Sequence, residues 1–144
     1  MKNPLLSLAA AAMVAISAAA CGGGSDQDNT ALQAEVIAVH DEIMPLMGAF
    51  ARKSMKIDQL LNNLDSLKAA DPALDTAAKR TELAALKLQL DEASDAMTTW
   101  MHEFEPDTDD RPAEEVRRYL EGEKVKVQTL KVQFEAAKAA SEHI

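Results

Sequence analysis

His40, Met44, Met47, Met97 and Met101 are the residues of this chain whose types and spacing suggest chemistry. Thioether sulfur and imidazole nitrogen are the side-chain donors that suit a soft cation such as Cu(I). His40 and Met44 stand four residues apart, as do Met97 and Met101, so each pair shares a face if its segment is helical. Trp100 could lay its π face over a bound cation. The same residues also have an ordinary use, because methionine fills irregular core gaps and packs well against an aromatic ring. Trp100 and His102 point roughly 200° apart on one helix and cannot serve the same site. The cluster therefore carries two readings, a metal site and plain core packing.

Enzymatic patterns are missing. The sequence has no G-x-x-x-x-G-K phosphate loop, no G-x-S-x-G elbow and no H-E-x-x-H zinc helix. Ile37, Thr99 and Ala140 stand three residues before the three histidines, so the Glu-x-x-His pairs of di-iron bundles are absent. The acidic stretch around Asp107, Asp109 and Asp110 has the charge of a calcium loop. It lacks the sixth-position glycine, and Arg118 stands where a bidentate glutamate is needed. The expectation is a protein that is not an enzyme. A net charge of −9 argues against nucleic acid as a partner, because phosphates are met by Lys and Arg.

Cys21 is the single cysteine, which excludes an internal disulfide and a thiolate cage. Its context gives it another role. Lys2 is followed by an apolar run from Leu5 to Ala20, shorter than the roughly 20 residues that span a bilayer, and Ala18, Ala19 and Ala20 precede the cysteine. This is the pattern of a lipoprotein signal peptide over residues 1–20, cleaved before a cysteine that becomes lipidated. Two or more acyl chains anchor a protein firmly, and loss of Lys2 leaves the mature part at −10. Gly22, Gly23 and Gly24, then Ser25, Asp26, Gln27 and Asp28, read as a flexible, acidic tether over residues 21–30. This acidic stretch resembles the surface-export signal of Bacteroidota lipoproteins.

The elements that must position these residues are helices. Leu32, Val36, Val39, Ile43, Leu46, Phe50, Ile57, Leu60, Leu64 and Leu67 alternate steps of three and four, interrupted only by Lys53. That helix ends before Asp71-Pro72. A second, from about Asp75 to Phe104, keeps the alternation through Leu83, Leu86, Leu90, Ala93, Met97, Trp100 and Phe104. A third opens at Pro112 and runs through Val116, Leu120, Val127, Leu130, Phe134, Ala137 and Ile144, interrupted by Glu123. Short connections predict an all-α, antiparallel, up-down-up three-helix bundle, coiled-coil-like, over residues 31–144. Folding helix 1 on helix 2 places Met44 near Met97 and His40 near Met101. Helix 3 brings Glu123 within about two turns of Lys53, so the two form a pair or, as the preferred expectation, Lys53 snorkels to water. Pro45 removes the amide that would bond the Asp41 carbonyl and is expected to kink the first helix.

The segment His40-Asp41-Glu42-Ile43-Met44-Pro45-Leu46-Met47-Gly48, with Met97 and Trp100-Met101, resembles small Bacteroidota coiled-coil lipoproteins often labelled "viral A-type inclusion protein". The resemblance covers the two hairpin segments and the signal, roughly half of the chain. It implies an envelope location and a helical fold, and no activity. The expected function is a non-catalytic, lipid-anchored envelope protein, at the periplasmic or surface face of the outer membrane, whose helices bind an envelope protein or another copy. The alternative is a periplasmic carrier of Cu(I) or a cofactor at His40, Met44, Met47, Met97 and Met101.

Overall fold

The computed structural model describes residues 23–144, with side chains from Asp26 onward. Cys21 and the expected signal peptide lie outside these residues. Five helices follow in order: α1 (Gly23–Ile43), α2 (Leu46–Asn62), α3 (Leu64–Ala70), α4 (Thr76–Glu103) and α5 (Ala113–Ala140). There is no strand among the described residues. No helix among them is long and apolar enough to cross a membrane. The expected tether region is taken up by α1, which begins at Gly23 and buries Asn29 against α5.

Helices α1, α2 and α3 are one rod broken twice. Pro45 has no N–H for the Asp41 carbonyl, and the chain passes through a tighter turn in which Met47 N–H bonds the Met44 carbonyl at 3.1 Å. The second break is at Asn63, whose side-chain amide turns back to the Gln59 carbonyl at 2.8 Å. The break at Pro45 divides the rod between two neighbours: α1 lies mainly along α5, and α2 mainly along α4.

Cross-links fix the register. Glu35 pairs with Lys124 and Glu42 with Lys131, both 89 residues apart, so α1 and α5 run parallel. Ser54 donates to Asp91 at 2.6 Å, and Lys87 reaches Asp58 at 3.4 Å, so α2 and α4 run antiparallel. At the hairpin, Asp75 caps α4 by accepting from the amides of Ala77 and Ala78. Lys68 closes the turn on the carbonyls of Pro72 and Leu74.

The seam residues form one core. Val36, Ile43, Phe50, Ile57, Leu83, Leu90, Met97, Val127 and Phe134 are buried in it. Each such side chain contributes about 1.5–3 kcal/mol through burial. Phe50 and Phe134 stack at 5.0 Å across α2 and α5. Leu67 departs from the seam: it lies on the surface near the end of α3.

Lys53 and Glu123 are not near one another. The 89-residue offset sets Glu123 level with residue 34, roughly five turns from Lys53. Lys53 neither pairs with Glu123 nor snorkels to water. Its ammonium donates to the carbonyls of Ser141 and Ile144, at the negative end of α5. Glu123 bonds to Trp100 and Lys126 instead. A heptad pattern is unchanged by a slip of seven residues, so periodicity alone could not set this register. Here α5 begins beyond the end of α4, and its first turns pack on α1 and on the loop between the two.

Candidate functional site

His40, on the last turn of α1, meets Trp100, Met101 and Phe104 at the end of α4. With Ile37 and Asp41 they line an open groove of about 310 Å³. Trp100 is placed by the α4 seam and held by a hydrogen bond: its indole N–H donates to Glu123 Oε2 at 2.8 Å. Lys126 closes the other carboxylate oxygen at 2.9 Å. Glu123 is buried, and these two donors answer its charge. From Trp100 an aromatic row extends outward, stacked on Phe104 at 4.9 Å and then on Tyr119 at 6.3 Å. Arg111 covers the Tyr119 ring at 5.2 Å. Burial is the largest influence on the Tyr119 phenol and pushes it above its ordinary value, against the Glu105 N–H that its oxygen accepts.

The histidine is the unusual member. Its ring lies 5.6 Å from the Trp100 ring, and Nδ1 lies 2.9 Å from Asp41 Oδ1. A carboxylate accepts, so Nδ1 carries a proton, and in the neutral ring Nε2 holds the lone pair. Nε2 is buried and has no hydrogen-bond partner among the described residues. A carboxylate holding one imidazole nitrogen while the other offers a lone pair is how a protein orients a ligating histidine.

The other residues singled out in the sequence do not gather around it. Met101 lines the same groove, as its register with His40 leads one to expect. Met97 is sealed in the core at 0% exposure, whereas Met44, its expected neighbour, is 37% exposed at the helix break. Met47 packs against the core cluster. The geometry thus leaves His40 and Met101 together, with the remaining methionines divided between core and surface. No group of three or more His, Cys, Asp or Glu side chains is arranged to hold a metal among the described residues. Cys21 lies outside them.

Sequence reasoning passed over the Trp100–Glu123 bond, although its signal was present. Glu123 is a carboxylate at a seam position, and Trp100 brings an indole donor to the facing seam.

A second surface lies on the other side of Trp100. Between α4 and α5 runs an open groove bordered by Ala96, Thr99, Val125, Lys126, Thr129 and Gln133. It continues past Ala93 and Ala136 toward Glu92. Val125 and Val132 stand on the outer face of α5 at 63% and 65% exposure. The opposite flank of α5 carries Lys124 and Lys131, which pair with α1.

No protein-family model, no curated protein and no solved structure matches this chain.

Proposed function

We propose that this protein is a non-catalytic lipoprotein of the cell envelope, anchored through Cys21, whose helical bundle is an interaction module. The observation that carries the interaction reading is the outer face of α5, where two valines stand in solvent on a helix otherwise rich in charge. Helix surfaces facing water are normally polar, and a sustained apolar face marks a contact. The anchor rests on the sequence around Cys21, and the bundle's acidity leaves membrane attachment to the lipid. The resemblance to small Bacteroidota lipoproteins agrees with this placement.

The two parts are tested separately. Mass spectrometry of the mature N-terminus is expected to find a diacylglyceryl thioether on Cys21, and an unmodified cysteine overturns the anchor. A photo-crosslinking amino acid at position 132 of the full chain, activated in intact cells, is expected to give one discrete adduct. The same group at Lys56, on an exposed part of α2, is expected to give none. Absence of an adduct at 132 overturns the interaction reading.

The unpartnered Nε2 of His40 favours a second reading, a soft-cation site for Cu(I) with Met101 as the other donor and Trp100 beside them. Titration of the protein with Cu(I) against a colorimetric chelator, while Trp100 fluorescence is followed, tests it. Uptake with quenching, lost in His40→Ala and in Met101→Leu, supports the site. Failure to compete for the metal overturns it.

A further inference from the structure

On the outer face of α5, Gly122, Val125, Thr129, Val132, Ala136 and Ala139 follow one another in steps of three and four. That is seam spacing, yet α5 already has a seam: Val116, Leu120, Glu123, Val127, Leu130, Phe134 and Ala137 face the core. The second stripe carries no charge. Gly122 is its most telling member. It sits inside a helix, where glycine weakens the backbone, and nothing among the described residues lies within 4 Å of a Cβ built there. Packing among the described residues gives no reason for a missing side chain at this point. Close approach of another helix does give one.

From this we infer that the occupant is a second copy of the chain, with the two α5 helices packed antiparallel about a twofold axis that passes between them, level with the midpoint of Leu130 and Lys131. This rests on the reading of the bundle as an interaction module and names its partner. A twofold contact must be self-complementary, and the stripe is. The operation sets Val125 opposite Ala136 and Ala139 opposite Gly122, a larger side chain against a smaller one in each, with Val132 opposite the similarly shaped Thr129 at the centre.

The rims match in charge. On the side toward α1, Glu121 comes within a turn of the other copy's Lys138, while Lys124, which pairs with Glu35, falls between its Glu135 and Lys138. On the side toward α4, Lys126 comes beside Glu92, which borders the same groove as Ala136. Opposite charges at the rim set register and orientation more than affinity. The glycine is thereby explained as the hole for Ala139.

Single cysteines in the full chain, oxidised with diamide in intact cells, test the arrangement, with the parent chain as the blank. Residue 132 lies close to the axis and Gly122 far from it. Val132→Cys is therefore expected to give a disulfide-linked product of twice the chain mass. Gly122→Cys is expected to give none alone, and to give the dimer when co-expressed with Ala139→Cys. Circular dichroism of each variant establishes that the bundle is intact. No dimer from Val132→Cys overturns the proposal, and so does self-linking of Gly122→Cys, which requires parallel helices. The photo-crosslinked adduct at position 132 separates this failure from failure of the interaction reading. An adduct with a different protein leaves that reading standing and overturns the dimer, whereas no adduct overturns both.

Discussion

Glu123 occupies a seam position that the heptad reserves for an apolar side chain, and it is accommodated because two donors meet its carboxylate. Removing one donor leaves a buried oxygen poorly answered, at a cost of about 1–3 kcal/mol. Trp100→Phe keeps an aromatic face but deletes the N–H together with the pyrrole half of the indole, so its loss in urea unfolding is expected at or above that range. Glu123→Leu alone strands the indole N–H and costs a similar amount. Combined, the two changes remove both orphaned groups, so the double variant is expected to lose clearly less than the sum. Additive losses would contradict the bond as described. Lys53 is the second polar residue placed in a seam, and its ammonium holds the end of α5. Lys53→Met is expected to cost about 1.5–3 kcal/mol, the range for hydrogen bonds to a charged group. It is also expected to raise amide exchange selectively over residues 139–144. Uniform loss of protection along α5 would assign Lys53 a general packing role instead.

At the scale of elements, α2 is tied to α4 by Ser54, Asp58, Lys87 and Asp91. Burial raises the Asp91 carboxyl, but the Ser54 hydroxyl and the Lys87 ammonium together outweigh it and hold the group below its ordinary value of 3.8. Lys87 is held above its ordinary 10.5, chiefly by its hydrogen bond to Asp91. Because the Asp91 value is depressed by folding, its stabilisation is present above 3.8 and is lost as pH falls through the folded value. The Lys87 contribution is present below 10.5 and is lost as pH rises through its folded value. Both therefore act in full at neutrality. Asp91→Asn is expected to be less stable than the parent at pH 7 by up to about 1 kcal/mol, since these side chains are partly exposed. The difference is expected to close as pH falls through the folded Asp91 value, as followed by thermal unfolding. A constant difference across that range would show that the asparagine acts by something other than charge. The element scale also shows what the sequence made legible. Helix ends were readable from local chemistry: Asp71-Pro72 stops α3, and Asp75 caps α4. Burial along α4 was readable because its seam is unbroken. Register was not, since a slip by whole heptads preserves every seam residue, and Glu123 was set too near Lys53 for that reason. The change of partner at Pro45 and the lone Nε2 of His40 depend on how three helices meet, and no single helix's pattern contains that.

For the whole molecule, stability is distributed unevenly along the bundle. The core cluster runs from Val36 through Phe50 and Ile57 to Leu83, then back along α4 and α5 to Ala137. Helix α3 extends past the end of α5 and packs mainly against α4 and α2. Leu64 is the one buried side chain it contributes, and Leu67 is 39% exposed. Seven residues are far too few to hold a helix by propensity, which requires about 12–15 even in favourable sequences. What holds α3 is Leu64 at one end and the Lys68 bonds to the turn at the other. Local opening of such a segment is governed by its own contacts and not by the global free energy. Amides of residues 67–70 are therefore expected to exchange through openings of under about 2 kcal/mol. Those of Ile57, Leu90 and Val127 are expected to exchange only with global unfolding, at about 5–15 kcal/mol. Urea separates the cases, because a small opening exposes little surface and its free energy barely changes with denaturant, whereas global unfolding falls steeply. Lys68→Ala is expected to speed exchange in α3 and leave the core amides unchanged. If the α3 amides instead follow the core at every urea concentration, the hairpin end belongs to the same cooperative unit as the seam, and the contacts named here are too few to explain it.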